Sequence, residues 1–126
     1  MKKVIVTGAT GFIGKFLVRE LVNQEIETIA VVREGTKNLD NIALLPVRII
    51  YCNISDLNTL PQLILDRDID TVFHTAWQGV SDIDARNQAI QIQNLQSTLD
   101  LLDIMQEMKI GTFVGAGSIH EAEAVL

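Results

Sequence analysis

The chain has 126 residues and a formal net charge of −6, and 48% of its residues are apolar. That length and apolar content suit one folded domain with its own core and argue against disorder. The acidic balance argues against a nucleic-acid partner, which needs clustered Lys and Arg. No apolar run approaches the ~20 residues of a membrane span, and Met1-Lys2-Lys3 opens no signal peptide. Cys52 is the single cysteine, which fits a reducing cytoplasm.

In chain order, a first strand runs from about Lys3 to Thr7 and empties into Thr7-Gly8-Ala9-Thr10-Gly11-Phe12-Ile13-Gly14. An amphipathic helix, about Gly11 to Gln24, follows, with Phe12, Ile13, Phe16, Leu17 and Leu21 spaced to face a sheet. Strand, glycine turn and helix in that order make a phosphate cradle. Gly8 allows the tight turn, Gly11 lets a diphosphate approach the backbone, and Gly14 lets the helix pack closely. The first helical amides then face the phosphates at the positive end of the helix dipole.

A second strand, Glu27 to Arg33, leads to a polar stretch, Glu34 to Asn41, expected to hold a short helix. The third strand, Val47 to Cys52, ends at a thiol read as buried and inert. Asp56 is placed to cap a third helix through Leu57, Leu60, Leu63 and Ile64, with Pro61 tolerated in its first turn. The fourth strand is Asp70 to His74, and a loop, Ala76 to Asp84, leads to the longest helix, about Ala85 to Lys109. In that helix Ile92, Leu95, Leu99, Leu102 and Met105/Met108 form one stripe, which Ile90, Leu101 and Ile104 widen. So broad an apolar front predicts burial on two sides, against the sheet and against a partner. Gly111 is expected to end the helix before a fifth strand, Thr112 to Gly115.

This alternation predicts an α/β fold, a doubly wound parallel sheet of about five strands in the order 3-2-1-4-5. A ligand would bind over the carboxyl ends of strands one and four, where the order reverses. No linker or repeat interrupts the pattern, so residues 1–126 read as one nucleotide-binding domain. The two histidines and the scattered carboxylates have no metal-ligand spacing, and no metal is expected. His74 lies at the end of a buried strand and reads as structural, and His120 and Glu121 are too near Ser118 in sequence to form a triad with it.

Four blocks now carry a family resemblance: Thr7 to Gly14, Tyr51-Cys52-Asn53-Ile54-Ser55-Asp56-Leu57, Asp70-Thr71-Val72-Phe73-His74-Thr75-Ala76, and Phe113-Val114-Gly115-Ala116-Gly117-Ser118. The chain resembles the N-terminal half of an extended short-chain dehydrogenase/reductase, within the NAD-dependent epimerase/dehydratase family, whose members act mainly on nucleotide sugars. Trp77-Gln78-Gly79-Val80 and the spacing from Gly117-Ser118 to Glu121 look like a sugar-nucleotide oxidoreductase branch. The resemblance implies a Rossmann fold in which the amides around Thr10, Gly11, Phe12 and Ile13 hold the diphosphate, with Gly8 and Gly14 completing the cofactor-binding turn. Asn53, with Ile54, would meet the adenine, and Ala76 would line the nicotinamide-ribose pocket. Asn94 and Thr98 match the family's Asn-x-x-x-Thr pattern, and Ser118 would be the catalytic serine. A homodimer through the helix at 85–109 is implied as well.

The second strand ends at Val32-Arg33 with no acidic residue at its tip and Lys37 close behind, which favours NADP(H) over NAD(H). The family's Tyr-x-x-x-Lys acid/base pair is missing: the single tyrosine is Tyr51, and position 55 is Ser. The pair and the substrate-binding part would follow Leu126, so the chain is expected to be a truncated oxidoreductase that binds its cofactor without turnover. A non-catalytic sensor or regulatory module on the same fold, and one half of a split enzyme, are the alternatives.

Overall fold

The computed structural model describes residues 1–79 and 84–117. The strands are β1 (Lys3–Thr7), β2 (Glu27–Val32), β3 (Arg48–Tyr51), β4 (Thr71–His74) and β5 (Thr112–Gly115), and the helices are α1 (Phe12–Asn23), α2 (Leu60–Leu63) and α3 (Gln88–Glu107). All four strand pairings are parallel, in the order β3-β2-β1-β4-β5. The doubly wound sheet expected from the sequence is therefore present. β1 is central, and Val4, Ile5 and Val6 are buried because a parallel sheet is covered on both faces.

On one face Val4, Val6, Ala30 and Val32 pack with Val18 and Leu21 of α1 and with Ile42. On the other, Ile5, Ile29, Val31 and Val72 pack with Leu101, Ile104 and Met105 of α3 and with Leu57, Leu60 and Ile64. At the amino ends of the strands, Lys3 Nζ lies 3.0 Å from both Asp66 and Asp68. This charge network is at the opposite end of the sheet from the glycine turn.

Three sequence-based expectations are corrected. First, α1 is rotated: Phe12, Ile13 and Phe16 are exposed, and Gly14, Val18 and Leu21 face inward. The cause is Gly14, where a Cβ would sit 2.0 Å from the Gly8 carbonyl oxygen, so the position facing the turn must be bare. Phe12 and Phe16, two residues to either side, then point to solvent, where Lys15 and Arg19 lie over their rings. Second, Asp56 caps no helix. A 3-10 segment, Ile54–Thr59, precedes the four-residue α2, and Asp56 sits inside it with its carbonyl accepting the Thr59 hydroxyl at 2.7 Å. Third, Gly111 does not end α3. Lys109 takes the left-handed position (φ 58°) and Ile110 N–H closes on Met105 O at 2.8 Å. Glu25 (φ 59°) and the Ile26 N–H to Leu21 O bond of 2.9 Å end α1 in the same way.

The expected stripe of α3 divides. Leu101, Ile104, Met105 and Met108 are in the core, while Ile92, Leu95, Leu99 and Leu102 are exposed.

Candidate functional site

β1 ends at the turn that its glycines allow. Gly8 adopts φ +67°, and a Cβ there would lie 2.7 Å from the Ala76 nitrogen, so the site requires glycine twice over. Gly11 N–H closes the turn on Gly8 O at 3.0 Å. Helix α1 then begins with Gly11 as its N-cap, with no capping side chain and no acidic residue in its first turn. The amides of Phe12, Ile13 and Gly14 have no partner within the helix, and the positive end of its dipole is left uncompensated. A Cβ on Gly11 would meet only Gly8 O, at 3.2 Å, and otherwise open space.

Thr7, Gly8 and these turn residues open onto a cleft of about 890 Å³, a volume within the range of small-molecule and cofactor sites. Of the residues singled out from the sequence, Gly8, Thr10, Gly11, Arg33, Asn53, Ile54 and Ala76 line it together. Phe12 and Ile13 turn their side chains to solvent, 80% and 56% exposed, and Gly14 is buried beneath the turn. These three can contribute main-chain amides or close packing, not walls. Ser118, His120 and Glu121 lie outside the described residues. A smaller hollow of about 170 Å³ adjoins the cleft and shares Thr75, Ala76 and Trp77 with it.

Several side chains that hold the cleft in shape have no periodic sequence signal. Asn41 donates from Nδ2 to Thr10 O at 2.9 Å, tying the polar segment after β2 to the glycine turn. The Thr75 hydroxyl donates to Thr7 O at 2.7 Å. Asn94 on α3 is fully buried and pairs with both main-chain groups of Gln78, accepting its N–H at 2.9 Å and donating to its carbonyl at 2.8 Å. Asn53 accepts the Glu34 N–H at 3.1 Å, which fixes the residue next to Arg33.

Arg33 follows β2 directly and is exposed at the cleft. Burial pushes the Cys52 thiol up and keeps it protonated, consistent with an inert core position. Burial lowers the pKa of His74, which stays neutral between Thr7 and Thr98. Among the described residues no group of three His, Cys, Asp or Glu side chains comes together as a metal-ligand set. No helix among them is long and apolar enough to cross a membrane.

A parallel sheet in this order, with a glycine turn feeding a bare helix N-terminus where the strand order reverses, defines a Rossmann nucleotide-binding fold. The chain belongs to the NAD dependent epimerase/dehydratase family, whose model matches residues 4–125. Among curated proteins it is 29% identical over 119 residues to the dTDP-6-deoxy-L-talose 4-dehydrogenase (NAD(+)) of Aggregatibacter actinomycetemcomitans, covering 94% of this chain and 42% of that protein. It is 32% identical over 117 residues to the CDP-abequose synthase of Salmonella typhimurium, covering 91% of this chain and 38% of that one. Among solved structures, the UDP-glucose 4-epimerase of Bifidobacterium longum in complex with NAD+ and UDP superposes with a TM-score of 0.77 at 27% identity, covering 93% of this chain and 37% of that one. The chain thus spans about two-fifths of the length of the relatives it matches.

Proposed function

We propose that the cleft holds the nicotinamide dinucleotide of an oxidoreductase acting on a nucleotide sugar, and that these residues form its dinucleotide-binding half. The observation that carries this reading is the single cleft shared by Gly8, Gly11, Arg33, Asn53 and Ala76, at the foot of an uncapped helix. The diphosphate fits there: the Phe12 and Ile13 amides would donate to it, and Gly11 leaves room for it. Asn53 Nδ2 and Ile54 would meet the adenine, and Ala76 the nicotinamide ribose. The bound dinucleotide would supply the hydride acceptor. Ser118 would hydrogen-bond the reacting hydroxyl or carbonyl. The only tyrosine, Tyr51, lies half-exposed on β3 and has Ser55, not Lys, four residues on, so these residues bind without turnover.

Arg33 favours NADP(H), because a guanidinium grips a 2′-phosphate where a carboxylate would repel it. The NAD(H) reading has support of its own, since the relatives include a dehydrogenase named for NAD(+) and an epimerase solved with NAD+. Titration with NADPH and NADH, read by energy transfer from Trp77 in the cleft wall, separates the two. Tighter NADPH binding that Arg33→Ala abolishes is expected. Tighter NADH binding would keep the cleft and overturn the role of Arg33, and binding of neither would remove the reading.

The exposed strip of α3 supports a homodimer. Ile92, Leu95, Leu99 and Leu102 recur at three- and four-residue spacing, the pattern of a helix that packs against a second helix.

A further inference from the structure

His74 sits between β1 and α3 in the wall of the smaller hollow that adjoins the cleft, 5% exposed, with a threonine on each ring nitrogen. Thr7 Oγ1 lies 2.7 Å from Nδ1, and Thr98 Oγ1 lies 3.3 Å from Nε2. Two further bonds decide where the protons are. Thr98 spends its only hydroxyl proton on Asn94 O at 3.0 Å, so towards His74 it can only accept. Thr7 Oγ1 accepts the Ala76 N–H at 3.4 Å, so its own proton is free for Nδ1. The Nε2–H tautomer satisfies every group. The Nδ1–H tautomer would leave the Thr7 hydroxyl proton without a partner at a residue only 1% exposed, an arrangement that proteins avoid.

We infer that His74 is a positioning residue of the dinucleotide site: as the neutral Nε2–H tautomer it orients the Thr7 hydroxyl so that Thr7 holds the Ala76 amide against the glycine turn. The bonds run in one direction, from Ala76 N–H through Thr7 and His74 to Thr98 and the Asn94 carbonyl. They join β1, β4 and α3 behind the cleft. A Cβ on Gly8 would lie 2.7 Å from the Ala76 nitrogen, so turn and wall are already in contact, and a small shift of Ala76 changes the width of the cleft. Burial, with no charged neighbour acting on the ring, favours the neutral form that this role requires.

This inference rests on the dinucleotide reading of the cleft for its effect on binding, but not for its geometry. The test therefore has two arms. Nitrogen-15 NMR of the free chain should show Nε2 protonated and Nδ1 not, with the Ala76 amide protected from exchange. His74→Phe should lose that protection and bind the preferred dinucleotide about tenfold more weakly, as expected for one buried hydrogen bond. His74→Asn puts Oδ1 where Nδ1 sits, keeps the Thr7 bond, and should restore most of the affinity. If His74→Phe does not fold, Thr98→Val removes only the Nε2 acceptor and should show tautomer exchange on the ring. A proton on Nδ1, or unchanged Ala76 protection in His74→Phe, overturns the inference. A free chain with the expected tautomer and protection that binds neither dinucleotide removes the reading of the cleft and leaves the hydrogen-bond chain standing.

Discussion

At Gly14 helix and turn touch main chain to main chain, with room for no side chain. An added Cβ would lie 2.0 Å from Gly8 O and 2.8 Å from Gly8 C, atoms that cannot rotate away. Gly14→Ala is therefore expected to destabilise the fold by roughly 2–3 kcal/mol, the upper part of the range for an overpacked core, and to widen the turn. Gly35→Ala, where nothing lies within 4 Å of the added carbon, meets only the strain of its positive φ and should lose less. Urea midpoints for the two variants check the ordering. His74 contributes to the acid sensitivity of the fold, alongside the depressed carboxyls of Asp66 and Asp70. Its pKa is lowered by burial, and the folded chain refuses a proton that the unfolded chain accepts. Its neighbours are Thr7, Thr98 and the ring of Phe113, all uncharged. Stability should thus be unaffected by this group above the unfolded histidine pKa of about 6.5 and fall as pH drops below it. His74→Asn should flatten that part of a pH series of urea midpoints, and an unchanged slope would assign the loss to other groups.

Among the elements, the strands were the most legible in the sequence. β1 and β5 are found where the apolar runs end, and the others differ by a residue or two at their ends, because a buried parallel strand is written as a local run of β-branched residues. Helix rotation was not legible. Phe12, Ile13, Phe16, Leu17 and Leu21 make a convincing stripe, and what overrides it is a backbone approach between Gly8 and Gly14 that no hydrophobic period encodes. The site divides in the same way. Gly8, Gly11, Asn53 and Ala76 belong to strand ends with a recognisable local pattern. Asn41 and Thr75 act across 31 and 68 residues of sequence, through side-chain bonds to main-chain oxygens. The helix ends yield a separate expectation. Glu25 and Lys109 occupy left-handed positions that suit glycine. Glu25→Gly and Lys109→Gly should each stabilise the chain by about 0.5 kcal/mol, the left-handed strain relieved less the added backbone freedom. Thermal midpoints measure it, and a fall at both sites would mean that the Glu25 and Lys109 side chains contribute more than their backbone strain removes.

For the whole molecule, α3 has two faces with different duties. Its inner face carries core residues at one end and Asn94, Ser97 and Thr98 at the other, beside the cleft. Its outer face carries four exposed apolar side chains, 41–66% open to solvent. If that strip pairs two copies, Ile92→Asp, Leu99→Asp and Leu102→Asp should each shift the size-exclusion profile from dimer towards monomer and leave dinucleotide affinity unchanged. Identical profiles for all three variants would put any dimer contact elsewhere.

The strand order also governs how the chain reaches this fold during synthesis. β1 leaves the ribosome before the other four strands yet lies in the middle of the sheet, flanked by β2 on one edge and β4 on the other. The β2 edge is satisfied once residue 31 has emerged, but the β4 edge waits until residue 74. For the interval between, Val4, Ile5 and Val6 present an unpaired, apolar strand edge in the growing chain, the kind of surface that recruits other chains. Pairing across so many residues is slow because the loop must close before any contact rewards it. The nascent chain is thus most exposed to mispairing between these two lengths, and a chaperone that shields strand edges would act on it there.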